Sequence, residues 1–154
     1  MKKFKYSLEN VLHYKKQVLD NLKTEHAVLI TQVNRKEQEI HTLEGKLFSY
    51  QDKADQMKRQ QVCIRDIRLY NQCIDGIEFE IQKEREKLVQ LQRQEEDKKK
   101  QVVSANIDTS RYEKLKDRRM EEYRKAAAKA QELFIEEYTA RVSRHPRHVR
   151  EVAG

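Results

Sequence analysis

From Leu8 to Met57 the apolar positions recur every seven residues, in alternating steps of four and three, without an intervening proline. One set is Leu12, Leu19, His26, Val33, Ile40, Leu47 and Ala54; the other is Leu8, Lys15, Leu22, Leu29, Lys36, Leu43, Tyr50 and Met57. Only Lys15, His26 and Lys36 among these fifteen positions are neither apolar nor aromatic. The pattern predicts a helix with a narrow apolar stripe that must find another helix, which is the mark of a coiled coil. Gly45 costs about 1 kcal/mol relative to alanine, but Leu43, Leu47 and Tyr50 carry the stripe across it. Ser7 is placed to cap this helix, with Glu9 in its first turn and Tyr6 placed to staple onto Val11. A helix of this length spans about 75 Å at roughly 1.5 Å per residue.

The stripe fades over Lys58, Arg59, Gln60 and Gln61, and a second register opens with Cys63, Ile67, Tyr70, Ile74, Ile77 and Ile81, continuing past Glu84 to Leu88 and Leu91. The shift of register, with no proline or glycine to mark it, predicts a chain reversal. Gly76 reads either as a bend or close helix contact, or as a tolerated glycine. From Gln92 to Gln101 nothing is apolar. Glu95 and Lys98 nevertheless fall on stripe positions that an antiparallel hairpin brings near His26, so the stretch is either a set of matched polar layers or a partly solvated segment. Ser104 to Ser110 is rich in helix-neutral residues, and Ser110 with Glu113 matches a capping box. Because Val102, Ala105 and Tyr112 keep the register, a continuous helix with a local irregularity is expected there. The expected fold class is therefore all-α, a long two-helix antiparallel coiled-coil hairpin with an overhanging C-terminal helix. It forms one domain over residues 1–154: helix one at about 8–58, reversal at about 58–65, helix two at about 65–142, and a flexible basic tail at 143–154 containing Pro146.

Composition agrees with this class. Charged residues make up 38% of the 154-residue chain, and there are three glycines and one proline, which suits long helices better than a compact globule. The formal net charge of +7 comes from 33 Lys and Arg against 26 Asp and Glu, interleaved as on a solvated helix surface rather than gathered as in a nucleic-acid groove. No stretch approaches the roughly 18 apolar residues that cross a bilayer, and the opening Met1-Lys2-Lys3-Phe4 leads into charge rather than a signal peptide's apolar run. A cytoplasmic protein is expected. Cys63 and Cys73 have no ligand-spaced companion and read as reduced thiols, one or both packed as small hydrophobes.

The motifs of catalysis are missing. There is no glycine-rich phosphate loop, HExxH or GxSxG, and a two-helix bundle offers no cavity in which groups converge. His13, His26 and His41 each lack a second His or Cys one turn away, so His26 reads as a polar layer and not as a metal ligand. His145 and His148 lie in the tail and suit adventitious metal binding at most. Adjacent carboxylates such as Glu95 with Glu96 and Glu136 with Glu137 point to different helix faces and read as solvating charge. No enzyme, cofactor or metal site is expected. With a reversal near residue 61, Leu8 faces roughly residue 114, and about 25 residues of helix two extend past the start of helix one. Leu115, Met120, Tyr123, Leu133, Phe134 and Ile135 then form an uncovered surface, the usual sign of an interaction site.

Two stretches carry a family resemblance. Phe4-Lys-Tyr-Ser-Leu-Glu-Asn-Val-Leu-His-Tyr-Lys-Lys16 resembles the N-terminal signature of the flagellar FliJ family, an aromatic-basic-aromatic lead followed by Leu-Glu-x-Val-Leu and a basic turn. Tyr112-Glu-Lys-Leu-Lys-Asp-Arg-Arg-Met-Glu-Glu-Tyr123 resembles the family's C-terminal Leu-Lys-x-Arg-Arg helix. Their order, their spacing and the heptads between them extend the resemblance over essentially the whole chain. It implies a component of the bacterial flagellar type III export apparatus, resembling the coiled-coil stalk of rotary ATPases. Such a protein binds and stimulates the export ATPase ring, links it to the cytoplasmic part of the membrane export gate, and interacts with export chaperones. It sits at the inner face of the membrane through the apparatus, with no direct membrane insertion and no nucleic-acid partner. The family's gate-facing pattern falls on Leu47, Tyr50 and Gln51 and on Tyr70, Gln72 and Ile74, with Ile77 one turn on and Cys73 at a position often aromatic in the family. The gate-binding residues expected from it are Leu47, Tyr50, Tyr70, Cys73 and Ile77. The ATPase-binding residues expected are Phe4, Tyr6, Tyr123, Leu133, Phe134 and Arg141, the basic ones suiting an acidic collar.

Two other readings compete on the residues alone. A generic coiled-coil adaptor or homodimeric scaffold would pair the overhangs with each other, and concentration-dependent mass distinguishes it. Nucleic-acid binding through the basic tail would weaken steeply with salt.

Overall fold

The computed structural model describes residues 3–144, and among them there are two helices and no strand. Helix α1 runs Glu9–Arg59 and helix α2 runs Ile64–Arg144. The fold class is all-α, two long helices packed against each other as a helical hairpin. Both helices are built from good helix formers and carry the end charges that suit the helix dipole, with Glu9 and Asp66 in first turns and Lys58, Arg59, Arg141 and Arg144 in last turns. Helix α2 is unbroken through Ser104–Ser110 and past the expected end at 142, so Ser143 and Arg144 are helical rather than part of a tail. The rest of the expected tail, residues 145–154 with His145, Pro146 and His148, lies outside the described residues.

The chain divides into two compact units, Lys16–Ile107 and Met1–Lys15 with Asp108–Gly154. In the first, the heptad stripe of α1 faces a stripe of α2 made by Ile67, Tyr70, Ile74, Ile77, Ile81, Glu84, Leu88, Leu91, Glu95 and Lys98. None of these stripe residues is fully exposed. Leu19, Ile40, Ala54 and Ile81 are its most buried apolar side chains. Burying a leucine or isoleucine this way stabilises by about 1.5–3 kcal/mol, and a two-helix seam supplies one such residue every three or four positions. The polar stripe positions are matched across the seam. His26 Nε2 lies 2.6 Å from Glu95 Oε1, Lys98 donates to Glu25 at 2.7 Å, and Lys36 donates to Glu84 at 2.6 Å. Within Gln92 to Gln101, Glu95 and Lys98 are therefore paired polar layers between exposed neighbours, and Glu95 is a seam residue rather than solvating charge.

The reversal is made without glycine or proline. Gln61 takes a positive φ of 53°, and Val62 N–H bonds the Met57 carbonyl at 3.3 Å, which together form a Schellman ending for α1. The Cys63 carbonyl then accepts from Asp66 and Ile67 N–H at 3.0 and 3.3 Å and starts α2. Both cysteines are exposed, against the expectation that one or both pack as small hydrophobes. Cys63 is a cap whose work is done by its backbone, and Cys73 sits one position before the stripe residue Ile74.

In the second unit, residues 3–15 lie along 108–123. Tyr6 is only 6% exposed and its hydroxyl donates to the Tyr112 carbonyl at 3.2 Å, while the Tyr6-to-Val11 staple gives way to this longer-range contact, Val11 being exposed. Leu12, 2% exposed, is the most buried apolar residue here, and Thr109 beside it donates to the Lys15 carbonyl at 3.4 Å. The Leu8 carbonyl accepts the first helical bond from Leu12, and the expected cap Ser7 instead accepts from Arg119 at 2.9 Å.

Candidate functional site

Two groups of side chains answer to the expected contact residues, one in each unit. In unit Lys16–Ile107, Leu47, Tyr50, Tyr70 and Ile77 are half-buried stripe residues, and Cys73 is exposed beside them. The rings of Tyr50 and Tyr70 meet across the seam with centroids 5.8 Å apart at 52°, and Lys53 Nζ stands 5.9 Å from the Tyr50 centroid. Tyr50, Cys73 and Ile77 share one shallow groove with Leu43, Lys46 and Glu80. Leu47 lines a different groove, with Ile81, Glu44 and Arg85. The heptad explains the separation, because neighbouring stripe positions lean to opposite sides of a seam.

Gly76 lies in the Tyr50 groove, and a Cβ there would meet nothing within 4 Å. No close helix contact requires it. Other exposed apolar residues of this unit lie off the stripe. Phe48 is 72% exposed and Phe79 61%, the latter with Lys83 Nζ 4.5 Å from its ring centroid; Leu69 and Ile64 are exposed as well. Large apolar residues at off-stripe heptad positions were the available signal, since nothing in a two-helix seam covers them.

In the other unit the N-terminal lead assembles an aromatic and basic cluster on α2. Phe4 and Tyr123 meet with centroids 5.5 Å apart at 55°, Arg119 lies 5.8 Å over the Tyr6 ring, and Lys116 binds Glu9 at 2.8 Å. The structure thus brings Phe4, Tyr6 and Tyr123 together and places Leu133, Phe134 and Arg141 farther along α2. Leu115, Met120 and Tyr123, expected to be uncovered, are half-buried, because the lead continues along α2 beyond the first turn of α1. Beyond Ala127 every described residue is exposed. Phe134 is 69% exposed, and Leu133, Ile135, Tyr138 and Val142 are all more than half exposed. Phe134, Ile135, Tyr138 and Val142 fall within about 100° of one another on a helix of 3.6 residues per turn, so they form one apolar stripe. Its flanks carry ion pairs within the helix. Lys125 binds Glu121 at 2.8 Å, which holds the Glu121 carboxyl below and the Lys125 amine above their ordinary values, and Arg141 binds Glu137 at 2.6 Å.

Among the described residues no three His, Cys, Asp or Glu side chains are placed to hold a metal ion, and no helix is long and apolar enough to cross a membrane. His26 is engaged by Glu95, as a polar layer requires. Each unit of this helical hairpin leaves apolar residues uncovered, the usual mark of an interaction surface. The family model for the flagellar FliJ protein matches residues 4–148 of the 154. The chain belongs to the flagellar FliJ protein family, and so is a component of the flagellar export apparatus. No curated protein and no solved structure matches it.

Proposed function

We propose that this protein is the stalk-like partner of the flagellar export ATPase: it binds and stimulates the ATPase ring, links it to the cytoplasmic part of the export gate, and interacts with export chaperones. The observation that carries the reading is the apolar stripe of Phe134, Ile135, Tyr138 and Val142, uncovered in a chain of an export-apparatus family. On this reading Tyr123, Leu133, Phe134 and Arg141 contact the ATPase together with Phe4, while the buried Tyr6 positions the lead. Leu47, Tyr50, Tyr70, Cys73 and Ile77, joined by Phe48 and Phe79, contact the gate. The protein acts in the cytoplasm, held at the inner face of the membrane by the apparatus. Stimulation requires that the chain contact the assembled, active ring better than its free subunits, because only a difference in affinity shifts a population.

The test is the ATP hydrolysis rate of the purified export ATPase, titrated with the full chain, with a chain lacking residues 124–154, and with Phe134→Asp. Stimulation by the full chain that both variants lose is the expected result. An ATPase that neither binds the full chain nor changes its rate at any ratio overturns the proposal.

A further inference from the structure

The reversal between the helices carries charge that the fold does not use. From Gln56 to Ile74 the charged residues are Lys58, Arg59, Arg65, Asp66 and Arg68, a net +3 out of the chain's +7. Elsewhere in the same unit Lys36, Arg85, Lys87 and Lys98 each bind an acid. The four basic residues at the reversal are exposed, and none has an ion pair among the described residues. Lys58 and Arg59 suit the C-terminal end of α1, but Arg65 stands in the first turn of α2, where the helix dipole disfavours a cation. Beside the arginines, Ile64 is 69% exposed and Leu69 54%. A partnerless cation at the wrong helix end and bared aliphatic side chains are local conflicts with the fold, and such conflicts concentrate where a protein meets something else.

Their placement says what they meet. At about 100° per residue, Ile64, Arg68, Arg65 and Leu69 fall in that order on one arc of about 140°, with the seam residues Ile67, Tyr70 and Ile74 on the opposite side of α2. Asp66 lies outside the arc. Because Cα–Cβ bonds tilt towards a helix N-terminus, all four side chains lean towards the end of the hairpin. We infer that this end adsorbs on a membrane surface of anionic lipid headgroups, Arg65 and Arg68 meeting phosphates while Ile64 and Leu69 enter the boundary beneath them. Lys58 and Arg59, within a turn of the same end, add to the attraction. The end of a two-helix hairpin is convex, so it holds no groove for a peptide, and an extended anionic sheet is the partner that reaches the whole patch at once. Basic clusters of this size beside exposed aliphatic residues supply the two signals, charge and apolar burial, that peripheral membrane contact needs. The contact is peripheral, since no helix among the described residues is long and apolar enough to cross a membrane.

The inference stands apart from the export reading, because it needs only the chain and a lipid surface. Its test is co-sedimentation of the full chain with vesicles of phosphatidylcholine and phosphatidylglycerol at about 3:1, and with phosphatidylcholine alone. Binding to the anionic vesicles and not to the neutral ones is expected. Arg65→Gln with Arg68→Gln should weaken it by about thirtyfold, at about fivefold for each basic residue removed from the surface. Lys23→Gln with Arg93→Gln removes the same charge from the shaft, more than 40 Å from the reversal at roughly 1.5 Å per residue and so beyond the reach of screened attraction, and should change binding less than twofold. All four positions are exposed, and helical circular dichroism of each variant should match the parent. Depth is read separately. The chain has no tryptophan, so Ile64→Trp supplies a lone indole whose emission should shift to the blue on anionic vesicles, while that of Val28→Trp should not. No sedimentation of the parent, equal losses from the two pairs, or an unshifted Ile64→Trp emission would each overturn the proposal. So would a parent that ignores vesicles while Arg65→Gln with Arg68→Gln weakens binding to the cytoplasmic part of the export gate, which would assign the patch to a protein.

Discussion

Lys15, His26 and Lys36 are the three residues that break the apolar stripe of α1, and each has an acid across the seam. Lys15 stands 3.7 Å from Asp108, His26 2.6 Å from Glu95, and Lys36 2.6 Å from Glu84. A slip of one heptad would set Lys36 against Ile77 or Leu91, and His26 against Leu88 or Val102. An unpaired charge on an aliphatic layer costs several kcal/mol, so these layers hold the register although a leucine pair at each would stabilise more. Glu84 is strongly perturbed. Hydrogen bonds from Lys36 and then Lys87 hold its carboxyl down at about 2 from an ordinary 4.5, and the Glu39 and Glu84 bonds raise Lys36 in turn. A carboxyl with a depressed folded value adds stability above its ordinary value and loses it as pH falls towards the folded one. Thermal midpoints should therefore fall between about pH 4.5 and pH 2, and Glu84→Gln should lower the midpoint at pH 7 while flattening that acid decline. A decline of equal steepness in the variant would assign the acid sensitivity to other carboxylates.

At the scale of the element, the two helices and their facing stripes are legible in the sequence because a two-helix seam writes its contacts every three or four residues along both strands of the hairpin. Even Glu95, within ten residues lacking any apolar side chain, could be set beside His26 by counting. What periodicity does not write is anything made by a single residue or by the chain outside a helix. The lead of residues 4–7 is too short to have a period, so the burial of Tyr6 and the cover it gives to Met120 and Tyr123 were invisible. Tyr123, Leu133 and Phe134 were legible as an overhang by counting residues, the groove candidates through the family resemblance alone, and the exposed Phe48 and Phe79 carry no periodic signal because they lie off the seam. The reversal falls within the expected 58–65, between Arg59 and Ile64, but its backbone detail escaped for a different reason. Gln61 occupies the left-handed position that glycine usually fills, with φ at 53°, and a side chain there costs about 1 kcal/mol or more. Gln61→Gly should consequently raise the denaturant midpoint by the equivalent of about 0.5–1 kcal/mol, less than the full strain because glycine also loosens the unfolded chain. Gln61→Val should lower it, since a β-branched residue tolerates positive φ least.

For the whole molecule, the consequence is that the two proposed contact surfaces are separable. The groove of Tyr50, Cys73 and Ile77 belongs to the unit Lys16–Ile107, and the stripe of Phe134, Ile135 and Tyr138 belongs to the other unit. No described residue belongs to both, so substitutions in one should leave the other's binding free energy unchanged, as they do for sites without common partners. Cys73 and Phe134 are suitable probes because both are exposed and neither supports the seam. Cys73→Asp should weaken binding to the isolated cytoplasmic part of the export gate by tenfold or more, the loss expected when a charge is set into an apolar contact, and should leave ATPase stimulation at its parental level. Phe134→Asp should do the reverse. A chain that bridges two partners fails in export when either contact is lost, so both variants should impair swarming, while mixing them in one cell should not restore it: neither molecule holds both partners. Restoration by the mixture would mean that the two contacts are made by different copies, and that the protein serves its partners separately rather than linking them.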